Sequence, residues 1–319
     1  MKALDTHQVI PSLPPMMRVD AETLTASFLS GRNAQTLAAY RRDLEDYQAF
    51  VAAPTVEAAA RLLIGSTHGD ANAIAHSYRT HLIERGLQAA TINRRLAALR
   101  SLVALANKVG LVAWKLSVEG MKSQSYRDTR GPGLDTYKGM LAAAASRRPG
   151  KASRDIAILR LLQDVGLRRG ELVSLDVVDV DLERSTIMVT GKARTQASPI
   201  TLPSPTKAAL ADWIADRGTK PGPLFTNLDR ARKGSGRLTG AAVYQIISGL
   251  GGEAGATVRP HGLRHLAITR ALDAFNGDVR KVAMFSRHRD IRVLTAYDDN
   301  RIDAAGEIAE QLAMLAMEA

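Results

Sequence analysis

Four short clusters in the second half of the chain combine basic side chains, histidine and tyrosine at fixed spacings. They are GLRRGEL at 166–172, TGKAR at 190–194, HGLRH at 261–265 and SRHRDIRVLTAY at 286–297. Each cluster alone is ordinary, because arginine and lysine are mostly solvated surface residues. Taken together and in this order, their residue types predict a site that acts on a phosphodiester.

The chemistry of such a site follows from the properties of its side chains. Arg168 and Arg264 keep their charge and can hold the non-bridging oxygens of a phosphate through forked hydrogen bonds. Tyr297 can attack phosphorus and conserve the bond as a covalent ester. A free phenol has a pKa of about 10, so it needs a base or cationic surroundings, and His261 is the candidate base. Lys192 is the candidate acid that protonates the departing hydroxyl.

Two further residues complete the predicted site. We expect His288 to donate a hydrogen bond to a phosphate oxygen. Glu171, one helical turn after Arg168, is expected to orient the basic residues without touching the substrate. Because the arginine pair can neutralise the phosphate charge, we expect no metal and no cofactor. The chain has no cysteine, and none of its seven histidines lies in a metal-binding motif such as H-E-x-x-H.

The composition indicates a polyanionic partner. The 319 residues carry a net charge of +11 and are 45% hydrophobic, so the chain can bury real cores while its surface attracts nucleic acid. The sequence contains no apolar run of membrane-spanning length and no basic-then-apolar leader. The charge therefore favours either nucleic acid or an anionic membrane surface as the partner, and we expect a cytoplasmic protein.

The periodicity of the apolar residues predicts two domains. A flexible tail at 1–19 precedes an all-helical DNA-binding domain at 20–113, where apolar residues recur at helical spacing without β-alternation. The polar, basic segment 114–133 has the composition of a linker. Residues 134–319 are predicted to form a mixed α+β domain with a small antiparallel sheet of three short strands, with Lys192 at a hairpin tip.

Basic and polar residues of both domains and the linker are candidates for contact with DNA. The helix near residues 91–100 has an apolar stripe and a basic opposite face, which suits a DNA groove, although a solvated face is the alternative. The candidate DNA-binding residues are Arg41, Arg42, Thr91, Asn93, Arg94, Arg95, Arg100, Lys122, Arg130, Arg194 and Arg287.

The four clusters resemble the motifs of the tyrosine recombinase, or phage integrase, family. The six catalytic positions of the family's motifs are filled in order, by Arg168, Lys192, His261, Arg264, His288 and Tyr297. The segments NAQTLAAYRRDLEDYQAF and GLQAATINRRLAALRSLVALANKVGL resemble the first and last helices of the family's SAM-like core-binding domain. The resemblance therefore covers about residues 30–319.

The resemblance implies a site-specific recombinase of the simple, Xer-like type, without a further arm-binding domain before residue 20. Such an enzyme binds double-stranded DNA and no membrane. It cleaves and rejoins the DNA at a core site through a 3′-phosphotyrosyl intermediate and a Holliday junction, for integration, excision or resolution. Ser286-Arg287 is a departure, because the family usually has a small apolar residue and glycine before the last histidine. Arg287 is expected either to alter the local packing or to add a phosphate contact. The alternatives are a catalytically silent DNA-binding regulator and a type IB topoisomerase-like enzyme.

The last 22 residues differ from the rest of the chain in charge. Residues 298–319 contain six acidic residues against one basic residue, Arg301, and place Ile308, Leu312 and Leu315 on one helical stripe. The family resemblance implies that this tail docks on a neighbouring subunit, giving a tetramer on DNA. Packing of the tail against its own chain is the alternative.

Overall fold

The computed structural model divides the chain into two compact units, residues 1–125 and 126–319. It describes residues 21–30, 34–122, 131–191, 196–228, 236–288, 290–292, 294 and 304–317. The predicted tail 1–19 and part of the predicted linker lie outside these ranges. The exact domain boundaries remain predictions.

Helices are the only regular secondary structure among the described residues of the first unit. Its helices are α1 (Ala21–Phe28), α2 (Ala34–Phe50), α3 (Val56–Gly65), α4 (His68–Glu84) and α5 (Ala89–Lys108). Threonine side chains begin α3 and α4, because each accepts a hydrogen bond from a main-chain N–H of the first turn that has no helical partner. The apolar stripes of the helices form one core, which includes Leu63, Tyr78 and Leu99. The prediction of an all-helical first domain is confirmed.

The segment that follows α5 packs on the same core. Leu116 and Val118 are buried there, although the surrounding sequence is polar. Polar side chains of α4 and α5 bond to its backbone: Asn72 accepts from the N–H of Ser117 at 2.7 Å, and Arg100 donates to the carbonyl of Val118 at 2.8 Å. Residues 114–122, which composition assigns to the linker, are thus held against the first unit.

The second unit mixes helices with a small sheet. Its elements are α6 (Leu134–Ala145), α7 (Pro149–Gln163), α8 (Arg169–Ser174), a 3₁₀ turn (Val177–Asp179), β1 (Val180–Asp181), β2 (Thr186–Thr190), β3 (Ala197–Thr201), α9 (Ser204–Arg217), α10 (Gly240–Glu253), α11 (Pro260–Ala274), α12 (Val279–Ser286) and α13 (Ala304–Met317). The strands pair antiparallel in the order β1-β2-β3, with Ile187 opposite Ile200. The predicted α+β domain with a small antiparallel sheet is confirmed.

The core of the second unit is built around α7, which packs against α6, α9 and α11. Trp213 of α9 is buried in this core, and its indole N–H donates to the carbonyl of Leu224 at 2.8 Å. The packing fixes the turn after α7 and the first turns of α11, which carry two of the four sequence clusters. Among the described residues, no helix is both long and apolar enough to cross a membrane.

Candidate active site

The turn at residues 164–168 places Arg168 at the start of α8. Gly166 has a φ of 61°, a conformation that favours glycine, and a side chain there would press on the ring of Phe285. This turn presents the carbonyl of Gly166 to two arginines, Arg264 and Arg287. The glycine of the GLRRGEL cluster is therefore needed for the geometry of the site.

Glu171 is the anion that holds Arg168 in place. One carboxylate oxygen accepts the main-chain N–H of Arg168 at 2.9 Å, and the other accepts its guanidinium at 2.6 Å. Burial alone would raise the pKa of Glu171. The N–H of Arg168 and the charges of Arg287 and Arg168 outweigh burial and lower that pKa below its usual value. Glu171 is thus ionised at neutral pH and fixes the direction of Arg168.

Arg264 is almost completely buried, with 1% of the residue exposed. Its guanidinium donates to the carbonyl of Gly166 and to the carbonyl of Ser286 at the end of α12. These two bonds tie the turn before α8 to the C-terminal end of α12, where unpaired carbonyls attract cations. Since a guanidinium has five N–H donors, Arg264 can form these two hydrogen bonds and still donate to a phosphate.

His288 lies next to this arginine cluster, and its tautomer follows from the bonds of Ser286. The Ser286 hydroxyl lies 2.6 Å from the carbonyl of Val282, which can only accept, so the hydroxyl hydrogen points there. The hydroxyl oxygen lies 2.8 Å from Nδ1 of His288 and must accept from it. Nδ1 of His288 therefore carries a proton, and Nε2 carries a lone pair when the ring is neutral.

The electrostatic surroundings keep the ring of His288 neutral. Burial, together with the positive charges of Arg264, Arg168 and Arg287 and the neighbouring His265, lowers the pKa of His288 to about 4. A neutral ring with this tautomer cannot donate from Nε2. The predicted hydrogen bond from His288 to a phosphate oxygen therefore requires that the ring gain a proton.

We expect DNA binding to cause His288 to take up that proton from the solvent. A phosphate beside the arginines offsets their charge, so the pKa of His288 should rise from about 4 towards or above its ordinary 6.5. At a pH between the two pKa values, DNA binding is accompanied by uptake of a proton. In this range the affinity for DNA should increase as the pH falls. Calorimetry at pH about 5.5, in buffers of different ionisation enthalpy, measures this uptake. It should vanish in His288→Gln and persist in His76→Gln, an exposed histidine of α4. Equal uptake in His288→Gln would contradict the expectation.

His261 begins the same helix as Arg264 but is exposed. Its ring packs edge-on against His265, with 4.3 Å between the ring centroids. It also lines a cavity of about 370 Å³ together with Leu167 and Gly170, next to the turn that carries Arg168. His261 is thus accessible at the edge of the arginine cluster, as a candidate base must be.

Two predicted DNA-binding residues of α5 bond to the backbone of the segment that follows it. The amide of Asn93 donates to the carbonyl of Met121 at 3.0 Å and accepts its N–H at 2.7 Å, so both of its polar ends are engaged. A side chain on Gly120 would collide with this amide. Arg100 donates to Val118. In the described structure, these two residues hold residues 118–121 on α5, and their reading of bases remains a prediction.

The other basic residues of the first unit are more accessible. Arg94 is exposed while it pairs with both oxygens of the buried Asp43. Arg95 pairs with Asp46 at 2.9 Å and is largely covered. The remaining candidates with described side chains in this unit are Arg41, Arg42 and Lys122, which are exposed, and Thr91, which is half-buried.

Several predicted residues lie outside the described residues: Lys192, Arg194, Arg130 and Tyr297. The chain before Tyr297 is anchored at Leu294, which is fully buried against Ile268, Leu272 and Val282. The structure thus brings Arg168, Glu171, Arg264 and His288 together, whereas the positions of the candidate acid and nucleophile remain predictions.

The structure adds two side chains to which the sequence analysis assigned no role in the site. Ser286 sets the tautomer of His288, and His265 packs against His261. The only sequence signal was their position inside the clusters, since a serine two residues before a histidine is common. Among the described residues, no group of histidine and acidic side chains is arranged to hold a metal ion.

Comparisons with known proteins agree with this architecture. The model of the phage integrase family matches residues 135–302, and that of the phage integrase N-terminal SAM-like domain matches residues 27–109. The tyrosine recombinase slr0733 of Synechocystis sp. is 36% identical over 313 residues, covering 96% of this chain and 99% of that protein. The tyrosine recombinase Synpcc7942_B2651 of Synechococcus elongatus is 39% identical, covering 89% of this chain and 90% of that protein.

A solved structure shares the fold at low sequence identity. The XerH site-specific recombinase, in a post-cleavage complex with palindromic difH substrate, has a TM-score of 0.66 and 18% identity. The match covers 91% of this chain and 84% of XerH. The family matches and the full-length relatives together show that the chain belongs to the phage integrase family. It is an enzyme of the tyrosine recombinase class, and the recognition made from the four clusters is confirmed.

Proposed function

We propose that this enzyme carries out site-specific recombination through a 3′-phosphotyrosyl intermediate at Tyr297 and a Holliday junction. One observation carries the proposal: Arg168, Arg264 and His288 converge on one site, and among the described side chains Glu171 is the one carboxylate in contact with them. The excess of positive charge suits one phosphodiester, which carries one negative charge and gains more during attack. A purely structural ion-pair cluster would be expected to balance its charges.

Each step of the proposed reaction conserves its atoms and protons. The phenolic oxygen of Tyr297 attacks phosphorus as its proton passes to His261, and the bond from phosphorus to the 5′-oxygen breaks. The departing 5′-oxygen takes a proton from Lys192. Arg168 and Arg264 stabilise the charge on the non-bridging oxygens, and a protonated His288 adds a hydrogen bond from Nε2. Attack by another 5′-hydroxyl reverses these steps and reseals the DNA without an external energy source.

The partner in this proposal is a DNA duplex with a core site. The relative XerH was solved with its difH substrate, and the basic residues of this chain suit a similar partner. The sequence of the site can be obtained by selection from a random duplex library.

Mass spectrometry tests the proposed intermediate. A selected duplex with a nick just downstream of the cleavage point releases the short fragment that carries the new 5′-hydroxyl. Because this fragment diffuses away, resealing is prevented and the covalent product is trapped. After digestion by protease and nuclease, we expect a nucleotide attached to the peptide that contains Tyr297. Attachment elsewhere, or binding without any covalent product, would overturn the proposal and favour a DNA-binding regulator.

We further propose that the tail holds neighbouring subunits together on DNA. Among the side chains of helix α13 that the structure describes, Leu312 is 62% exposed and Leu315 is 63% exposed. Residues 298–319 are acidic while the chain as a whole is basic, so the tail and the body of a second copy have complementary charges. The occupant of this surface is thus a second copy of the chain.

Leu315→Asp should weaken the tetramer on DNA by about tenfold, because it places a charge in an apolar contact. Binding of a single subunit to a half-site should not change. Ala313→Asp adds the same charge at an exposed neighbouring position of α13 and serves as the control. Mass photometry on a full site counts the subunits. Equal loss of tetramer in both variants would indicate a general charge effect and contradict the proposed contact.

A further inference from the structure

Arg287 adopts a backbone conformation that is unusual for its residue type. It follows the last residue of α12 with a φ of 57° and a ψ of 37°, in the left-handed region that favours glycine. The conformation costs energy for a residue with a side chain. Contacts of the arginine side chain must therefore offset this cost.

The side chain of Arg287 turns into the protein and is only 13% exposed. Its guanidinium donates to the carbonyl of Gly166 at 3.0 Å and to the carbonyl of Val165 at 3.2 Å. It also forms an ion pair with Glu171, at 3.0 Å from one carboxylate oxygen. These contacts place the Arg287 guanidinium within the arginine cluster, on a different oxygen of the Glu171 carboxylate from the one that binds the Arg168 guanidinium.

The contacts close a ring that includes Arg168. Glu171 binds Arg287 through Oε2 and the guanidinium of Arg168 through Oε1. Arg168 in turn donates to the main-chain carbonyl of Arg287 at 3.3 Å. Any movement of Arg287 is thus transmitted to Arg168 by two routes, one through the carboxylate and one through the backbone.

The ring also sets the charge that Arg168 can offer. A buried carboxylate paired with Arg168 alone would cancel its charge. With a second cation on the same carboxylate, the group of Arg168, Glu171 and Arg287 keeps a net charge of +1. That remaining charge lies beside Arg264 and His288, where a phosphate is expected.

We propose that Arg287 is a positioning residue for DNA cleavage, which acts through Glu171 to fix Arg168 and preserve its charge for the phosphate. This inference rests on the proposed function. It gives Arg287 a different role from the DNA contact that its charge predicts in the sequence. The departure from glycine before His288 is then a functional feature of this chain.

Single-turnover cleavage of the nicked duplex, measured together with DNA affinity, tests the inference. Arg287→Met keeps an unbranched apolar stem and the backbone cost but removes the guanidinium and its charge. At saturating DNA we expect the rate to fall about 10- to 100-fold while the Kd changes little. Arg287→Lys has the positive charge but lacks the planar set of N–H donors of a guanidinium. Its rate should lie between those of Arg287→Met and the wild type. Arg280→Met, at an exposed position of α12, is the matched control and should keep the wild-type rate.

Arg287→Gly separates positioning from stability. Glycine relieves the left-handed backbone, so this variant should be at least as well folded as Arg287→Met and yet equally slow. In a double-mutant cycle, adding Glu171→Gln should lower the rate less in Arg287→Met than in the wild type, because both variants break the same ring. Additive effects on the rate would overturn the inference.

The outcomes also distinguish this inference from the function on which it rests. If the wild type forms no covalent product, the proposed function fails and the inference fails with it. If the wild type cleaves and Arg287→Met weakens DNA binding at an unchanged saturated rate, the function stands. Arg287 is then a DNA contact and the positioning role is wrong.

Discussion

Replacing Tyr297 with Phe is expected to abolish the covalent protein–DNA product while DNA binding is retained. The two side chains share the aromatic ring, and only the phenolic oxygen that forms the ester is lost. Because no other step can replace the nucleophile, the loss should be on the order of 10⁴-fold or more. Denaturing electrophoresis of the nicked duplex measures the product, and a mobility shift at the same protein concentration measures binding.

Tyr244→Phe is the matched control for this experiment. Tyr244 is an exposed tyrosine of the same unit and lines the cavity beside His261. It is therefore the competing phenol that the described structure places near a candidate base. If Tyr244→Phe lost the product while Tyr297→Phe kept it, the assignment of the nucleophile from the nine-residue spacing after His288 would be wrong.

The order and spacing of residue types in the four clusters predicted that residues far apart along the chain would lie together. Arg168, Arg264 and His288 lie far apart along the chain, and their clusters were recognisable because an arginine pair and a histidine suit one phosphate. The structure brings these three together. The clusters were thus a better guide to the tertiary arrangement than the propensity of any single segment.

Long-range contacts are what the sequence could not provide. The positive charge of Arg287 predicts a contact with DNA, because arginine is usually exposed. Nothing in the local sequence indicates that its partner is Glu171, 116 residues earlier. The same holds for Asn93 on α5. The polar face of this helix predicts contact with a DNA groove, although the Asn93 amide is bonded to the backbone of Met121. In both cases a charged or polar side chain satisfies backbone groups and carboxylates that the fold has buried.

The sequence predicted a helical first domain without resolving every helix or the packing of the segment after α5. Helix α3 is only 10 residues long, so it is too short for a repeated apolar stripe to stand out from its alanines. The polar segment after α5 hides the buried pair Leu116 and Val118 among charged neighbours. Leu116 and Val118 are both buried because this segment packs on the core of the first unit. The local composition gives no sign of that packing.

Arg264→Lys is expected to reduce cleavage by about 10²- to 10³-fold at saturating DNA. Lysine keeps a positive charge but supplies a point charge in place of a planar fork. One ammonium group cannot hold the carbonyls of Gly166 and Ser286 and also bind a phosphate with the geometry of a guanidinium. Arg270→Lys, an exposed position of the same helix, should change the rate by no more than about twofold.

A substrate change shows whether this loss is electrostatic. Replacing one non-bridging oxygen of the scissile phosphate with a methyl group removes the charge that Arg264 is proposed to neutralise. On this neutral methylphosphonate the ratio of wild-type to Arg264→Lys rates should shrink, whereas a variant that is merely misfolded would show the same ratio on both substrates. Because Arg264 also ties the turn before α8 to the end of α12, part of the loss should persist on the neutral substrate. The size of that remainder measures how much of the contribution of Arg264 comes from holding the site together and how much from its charge.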